Sequence, residues 1–320
     1  MLLEILIPTY QRALLLRDNI VRLGDQILRH SLQDLVGIVI SDNGSTDNTE
    51  EYVSALICDP NRSYALSYYR SPSNLGLEKN AVIVASKAKS KYILWCGDDD
   101  FIDDDYLPFV INSISRNSSI GCIIPGLSSL FSDGSVISSR NESFSELGLA
   151  RGYRSVYAYS HLAHQMSGLV VIRSDTLNWY LRSPENRNPY LFIFFVAYAL
   201  LNFDAIYAPR FKTLVSVSNK KDWSYNQVGL LDEVYKSYQI LLGLLSSRQV
   251  ADLMIRFMTM HSYRLSFRPL KPVRLLREML ILLSLPGSSP YLKFQTVLFF
   301  AKETLSLLRA DSKCVTSGVA

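Results

Sequence analysis

Lys91-Tyr92-Ile93-Leu94-Trp95-Cys96-Gly97-Asp98-Asp99-Asp100-Phe101 is the stretch on which the reading of this chain turns. Its first five residues form an apolar run of the kind buried as a strand in a parallel sheet. Three consecutive carboxylates follow almost at once. Adjacent carboxylates repel one another, and burying a charge without a partner is costly. A cation relieves that repulsion most simply. Hard divalent ions take oxygen ligands, and Mg²⁺ is commonly shared between one or two carboxylates and a substrate's phosphates. The plainer alternative is an acidic turn that caps the next helix, a task open also to Asp103, Asp104 and Asp105.

Upstream, strands and helices alternate. Leu2 to Ile7 is an apolar run that stops at Pro8-Thr9-Tyr10. Arg12 to Leu28 carries Leu15, Leu16, Ile20, Leu23 and Ile27 at helical spacing. Val36 to Ile40 reads as a second buried strand and ends at Ser41-Asp42-Asn43-Gly44-Ser45-Thr46-Asp47, rich in turn formers. A helix is expected over Asn48–Ile57, a strand over Ala65–Arg70 and a helix over Leu77–Ala88. This alternation predicts an α/β fold, a doubly wound and mainly parallel sheet. Ligands in such sheets bind beyond the carboxyl ends of the strands. The loops Pro8 to Arg12, Asp42 to Asp47 and Gly97 to Asp100 are expected at that edge. No GxGxxG follows the first strand and no GxxxxGK[ST] occurs, which argues against a dinucleotide fold or a P-loop. The triplet also fails the EF-hand pattern, because Ile102 stands where a ligand is needed.

Downstream, Asp105 to Ser115 reads as a helix, Ile120 to Pro125 as a strand, Asp133-Gly134 as a hairpin turn and Ser167 to Ile172 as a strand. An apolar helix is expected over Pro189–Asn202, and Ala205 to Ala208 as a return to the sheet. Beyond Asp232 the chain reads as mostly helical, broken at Pro269, Pro272, Pro286 and Pro290. The expected boundary lies near Lys220, with 1–220 as the α/β domain, 221–320 as a basic, mostly helical C-terminal region, and Lys220 to Ser224 around Trp223 as a candidate mobile segment. The whole chain of 320 residues carries +4, yet the part from Arg248 onward has 11 Lys+Arg against 4 Asp+Glu, a net of +7. The remainder is therefore −3. A basic, apolar tail suits an anionic membrane surface. Cys58, Cys96, Cys122 and Cys314 show no metal spacing and fit a reducing compartment. No signal peptide and no spanning helix are visible. The expected location is cytoplasmic, peripheral at the inner face of the membrane.

Four segments, taken together and in order, resemble a family 2 glycosyltransferase with a GT-A fold. They are Ile5-Leu6-Ile7-Pro8-Thr9-Tyr10-Gln11-Arg12, Val39 to Thr49 through Ser41-Asp42-Asn43-Gly44-Ser45-Thr46-Asp47, Asn74-Leu75-Gly76-Leu77-Glu78-Lys79-Asn80, and Gly97-Asp98-Asp99-Asp100. The last, with the Ser-Asp-Asn-Gly-Ser-Thr-Asp run, most resembles abequosyltransferase-like enzymes of bacterial O-antigen assembly.

The resemblance implies an inverting, metal-dependent transfer of a sugar from a nucleoside diphosphate sugar to a lipid-linked glycan. It implies that Asp42 bonds the base, that Pro8, Thr9 and Tyr10 line the nucleotide site, and that Arg12 approaches the phosphates. Asn74 and Asn80 would shape its wall. Asp98 and Asp99 would meet the ribose and diphosphate, with Asp99 or Asp100 on Mg²⁺ or Mn²⁺. Many relatives carry an Asp-x-Asp-Asp run, with Asp where Gly97 stands. They also supply a general base from a Glu-Asp-like pair that is missing here. Glu185 takes that place by distance along the chain, with His164, His161 and Asp204 as alternatives. Tyr153, Tyr157 and Tyr159 are candidates to stack on a sugar. A nucleotidyltransferase and a non-catalytic carbohydrate-binding scaffold are the competing functions, and nucleic acid is not an expected partner.

Overall fold

The computed structural model describes residues 1–138, 145–217, 230–262 and 272–316. The expected lid around Trp223 and the break at Pro269 lie outside these residues. The chain divides into two compact units, Met1–Asp222 and Trp223–Ala320.

In the first unit, β1 (Leu3–Thr9), β2 (Val36–Asp42), β3 (Ala65–Arg70) and β4 (Tyr92–Trp95) are parallel, joined by α1 (Ala13–Arg29), α2 (Thr49–Cys58) and α3 (Leu77–Lys87). Then follow α4 (Tyr106–Arg116), β5 (Ile120–Phe131), β6 (Val136–Ser138), β7 (Leu147–Leu149), α5 (Tyr153–Tyr159), β8 (Val170–Ile172), α6 (Arg173–Tyr180), α7 (Leu191–Asn202) and β9 (Asp204–Val217). The described strands form one sheet in the order β3-β2-β1-β4-β8-β5-β9-β7, with β6 paired to β5.

Successive strand residues point to opposite faces. Leu3, Ile5 and Ile7 of β1 join Ile38, Ile40 and Leu94 in a core with Leu16, Ile20, Leu23 and Ile27 of α1 and Leu107, Val110 and Ile114 of α4. Trp95 faces the other way and packs edge-on against Phe192 and Phe195 of α7, with ring centroids 4.9 and 5.7 Å apart. Helix α7 is buried almost all round, as its uninterrupted apolar sequence requires.

The expected parallel sheet is mixed in its second half. Strand β8 runs antiparallel between β4 and β5. The strand expected at Ile120–Pro125 continues to Phe131, and the short return expected at Ala205 runs from Asp204 to Val217. These two strands pair in parallel with a register shift between Pro125 and Gly126. Proline cannot donate to the ladder, so pairing slips there. Gly126 permits the slip, because a Cβ at that position would stand 2.3 Å from the Pro209 carbonyl oxygen. Beyond it β9 reaches the acidic turn, where Leu214 and Phe101 exchange both backbone hydrogen bonds at 2.7 and 2.9 Å.

The second unit contains α8 (Leu230–Gln239), α9 (Ser247–Met260), α10 (Pro272–Ser284) and α11 (Pro290–Thr316). Ser246 and Gln249 form a capping box at the start of α9. Pro272 and Pro290 open helices instead of breaking them, since the first helical position needs no N–H.

At the amino edge of the sheet, buried Glu4 accepts hydrogen bonds from Lys89 N (2.5 Å), Ser90 N (2.7 Å) and Ser90 Oγ (2.7 Å). It anchors the turn that feeds β4. Glu4→Ala strands two backbone donors and should destabilise the fold by about 3 kcal/mol. Glu4→Gln, which keeps an acceptor, should cost clearly less in urea unfolding.

Candidate active site

The parallel strands deliver their carboxyl ends to one edge, and there the polar loops meet. Gln11 binds the loops after β1 and β2 together. Its N–H donates to Ser45 Oγ (2.9 Å), its Nε2 donates to Thr46 Oγ1 (2.8 Å), and its Oε1 accepts from the N–H groups of Thr46 and Asp47. Its φ of 56° is unusual for a residue with a side chain and is held by these bonds. Asp47 in turn accepts from Ala13 N (3.0 Å) and Thr49 N (3.2 Å), so one carboxylate caps the starts of both α1 and α2.

Asp42 lies beneath this surface. Its carboxylate is fully buried, with Oδ1 accepting from Ser45 N (2.9 Å), Oδ2 from Tyr68 Oη (2.7 Å), and Arg70 Nε 3.6 Å away. Burial, reinforced by Asp42, pushes the Tyr68 hydroxyl well above its ordinary pKa, so it remains a donor. Asp42, the residue expected to bond the base, thus organises this loop. Asn80 is also interior. It accepts from Ser41 Oγ (2.6 Å) and donates to the Ser41 carbonyl (2.9 Å), joining α3 to β2. Asn74 is exposed and accepts from Asn43 Nδ2 (2.8 Å) and Gly76 N (2.9 Å).

The three carboxylates of the acidic turn are buried, and they divide into two groups. Asp98 Oδ2 accepts from Thr9 Oγ1 (2.8 Å) and its Oδ1 from an Arg12 terminal nitrogen (2.9 Å). The same nitrogen stands 3.3 Å from Asp99 Oδ2. Asp100 is turned elsewhere. Its Oδ2 accepts from Ser167 Oγ (2.6 Å) and its Oδ1 from Ser216 N (3.1 Å) on β9. Ser167 Oγ also accepts from Gly97 N (2.8 Å). The Asp100 carboxylate thereby folds back over Gly97, where a Cβ would come 2.5 Å from it. That contact accounts for the glycine at this position. Asp98 and Asp99 are the two carboxylates that meet the Arg12 guanidinium, and Asp100 is held by Ser167 and Ser216.

Burial raises the Asp98 pKa. The Arg12 charge opposes the shift, and the Asp99 charge adds to it. Burial works against the Arg12 charge as well, but Asp98 and Asp99 outweigh it and hold the guanidinium above its ordinary value. Burial thus works against the Asp98 charge while Arg12 favours it. Carboxylate oxygens are the donor set for Mg²⁺ or Mn²⁺. Among the described residues no group of three His, Cys, Asp or Glu side chains is arranged to hold a cation alone. The arrangement suits an ion carried by Asp98 and Asp99 and completed by ligand oxygens.

The profile of Glycosyl transferase family 2 matches residues 4–187, more than half of the chain and every loop just described. The chain belongs to this family. The chain is 31% identical over 120 residues to abequosyltransferase RfbV of Salmonella typhimurium, covering 38% of this chain and 34% of that protein. It is 28% identical over 136 residues to chondroitin synthase of Pasteurella multocida, covering 42% of this chain and 13% of that one. Both matches span well under half of the relative. The fold resembles that of S. aureus TarS in complex with UDP-GlcNAc, with TM-score 0.59, 14% identity, and coverage of 81% of this chain and 73% of that one. The chain thus has the GT-A fold, a mixed, mostly parallel sheet with a helical C-terminal region.

Other expected residues scatter. Pro8 is paired within the sheet to Ser41, and Tyr10 is 40% exposed beside Gln11. Glu185 lies exposed in a 3₁₀ turn, Pro184–Asn186. The Arg187–Glu78 ion pair (2.6 Å) holds that turn against the first turn of α3, at the same edge of the sheet as the acidic turn. His161 is buried in the 3₁₀ helix Ser160–His164, and His164 Nδ1 lies 3.1 Å from its carbonyl oxygen. A hydrogen bond there puts the proton on Nδ1 and makes Nε2 the basic nitrogen. Asp204 sits at the opposite edge, paired in register with Ile120 and accepting from Ser119 Oγ and Arg151 N. It does not join the other candidates. Tyr153 packs near Tyr157, and Tyr159 near Tyr207, at 6.1 and 5.2 Å.

Asn19 is a residue that pattern reading passes over. It is buried on α1 and donates to the Gly97 carbonyl (2.8 Å). Gln26, two turns on, donates to the carbonyl of Ile102 (3.2 Å) and to Asp104 (2.9 Å). The signal was present as two amides, seven residues apart, on the apolar stripe of α1. Ser167 left no comparable mark.

Because the folded pKa of Asp98 is raised, its charge opposes folding at neutral pH, and protonation relieves that cost. Asp98→Asn should raise the melting temperature at pH 7. The gain over wild type should shrink as pH falls through the Asp98 pKa, where the wild-type carboxyl is itself neutral. Thermal unfolding from pH 7 to pH 4 measures both.

Proposed function

We propose that this chain is an inverting, divalent-metal-dependent glycosyltransferase. It moves a hexosyl or deoxyhexosyl group from a nucleoside diphosphate sugar to a lipid-linked glycan in bacterial surface polysaccharide assembly. The observation that carries this reading is the convergence of Asp98 and Asp99 on one cation position. It lies at the sheet edge that also gathers Thr9, Arg12 and the Asp42 loop. The relationship to an abequosyltransferase supports a deoxysugar and an O-antigen setting, and TarS in complex with UDP-GlcNAc supports a nucleotide-sugar donor.

In this reading Asp98 and Asp99 hold Mg²⁺ or Mn²⁺, which when bound neutralises charge on the departing nucleoside diphosphate. Thr9 keeps Asp98 oriented through its hydroxyl. Ser167, Ser216 and Asp100 fix the acidic turn, and Arg12 adds positive charge for the diphosphate. Pro8, Tyr10 and Asn74 border the nucleotide, and the Asp42 loop faces its base. Glu185 is the proposed general base that takes the acceptor hydroxyl's proton as the oxygen attacks the anomeric carbon from the face opposite the leaving group. Its exposure leaves it open to an acceptor, and the Arg187–Glu78 pair keeps its turn at the working edge.

The C-terminal unit is proposed to hold the enzyme at the inner membrane face. On α11, Phe294, Val297, Leu298 and Leu305 are exposed along one stripe, with exposed Lys293 and Lys302 beside it. Apolar residues flanked by lysines suit an anionic lipid surface. No described helix is long and apolar enough to cross a membrane. Phe294→Ala with Lys293→Ala should reduce sedimentation with anionic liposomes. Equal recovery with neutral lipid in the wild type would rule the surface out.

Mn²⁺-dependent turnover across a panel of nucleoside diphosphate sugars tests the chemistry. Asp99→Ala should lower it by at least ~10²-fold. Glu185→Gln should preserve donor binding and lower transfer, while His164→Gln stays near wild type. A donor that shifts the melting temperature yet is never turned over would identify a binding scaffold instead.

A further inference from the structure

Arg12 bridges the two carboxylates proposed to hold the metal. One of its terminal nitrogens is 2.9 Å from Asp98 Oδ1 and 3.3 Å from Asp99 Oδ2. An ion bonded to those same two oxygens, at about 2.0–2.1 Å, would take over the charge that Arg12 now supplies to them. The two cations would compete for the same carboxylates.

We propose that Arg12 is a positioning residue that makes metal binding depend on the donor. At rest it neutralises Asp98 and Asp99. When a nucleoside diphosphate arrives, the phosphates draw the guanidinium away, and the ion enters the vacated position together with the diphosphate. This rests on the reading of the site as a nucleoside diphosphate and metal site.

Three features support the exchange. The Arg12 side chain is 31% exposed, whereas those of Asp98 and Asp99 are 7% and 5% exposed, so the cation can leave while the anions stay. Asp98 does not depend on Arg12 for its orientation, because Thr9 holds its other oxygen. The chain around Arg12 is fixed on both sides, by the Gln11 bonds to the Asp42 loop and by the Asp47 cap on Ala13. Movement is thereby confined to the long side chain, and a guanidinium suits phosphate as well as carboxylate.

Mn²⁺ binding to the full chain, followed by the electron paramagnetic resonance signal of the free ion, tests this without turnover. Measurements are made with Mn²⁺ alone and with Mn²⁺ plus each of UDP, GDP, CDP, ADP and dTDP. Wild type should bind Mn²⁺ weakly alone and at least about tenfold more tightly with the accepted nucleotide, since the competent state is otherwise scarcely populated. Arg12→Ala and Arg12→Gln should bind Mn²⁺ alone about tenfold more tightly than wild type and gain little from nucleotide. Arg12→Lys, which keeps a cation, should stay nearer to wild type. Circular dichroism identifies any variant that fails to fold, and the two neutral variants serve as alternates for each other. Neutral variants that bind Mn²⁺ alone no more tightly than wild type, with the nucleotide gain intact, would overturn the exchange. If no nucleotide brings Mn²⁺ to wild type or variants, the metal–diphosphate reading itself fails.

Discussion

Three adjacent carboxylates cannot be buried at the end of a strand unless each is given a partner. The architecture of the first unit can be understood as the supply of those partners. Thr9 comes from the end of β1 and Arg12 from the entry to α1. Ser167 comes from the approach to β8, and Ser216 N from the far end of β9. Asn19 of α1 holds the turn's carbonyl from below. Five parts of the chain are thus tied to one turn. Burial raises the Asp98 pKa, and a cation beside it opposes that shift as Arg12 does.

The division among the carboxylates follows from where these partners stand. Asp100 is engaged by hydrogen bonds with no formal charge and fixes the turn to β9. Asp98 and Asp99 share a cation that is one-third exposed. Neutral donors stabilise a carboxylate where it is, whereas a mobile guanidinium can be exchanged for another cation. The same turn therefore contains a fixed part and a part able to bind a ligand.

Much of the fold was legible in the sequence because it depends on short-range patterns. Apolar runs ending at Pro8, at the Asp42 turn and at Gly97 mark β1, β2 and β4. The Asp133-Gly134 turn marks the β5–β6 hairpin, with Gly134 at φ 82°. The mixed character of the sheet was not legible. Strand β8 has only three residues, and Val-Val-Ile reads the same in either direction. The full length of β9 was hidden because Pro209 and Arg210 interrupt its apolar run at the point where the register slips. Among site residues, Asn19 could have been found as a polar residue on an apolar stripe. Ser167 and Ser216 could not, because nothing nearby in the chain distinguishes them from other serines.

The sequence by itself determined that a mainly parallel sheet gathers Thr9, Arg12, Asp42 and the acidic triplet at one edge, because strand polarity and loop order leave those loops no other end. Only the tertiary structure decided which carboxylates face the cation. Asp98 meets Arg12 across 86 residues, and Asp100 meets Ser167 and Ser216 across 67 and 116. Local sequence fixes the backbone path of the turn. The orientation of each charge within it is set by whichever donor the folded chain brings within about 3 Å.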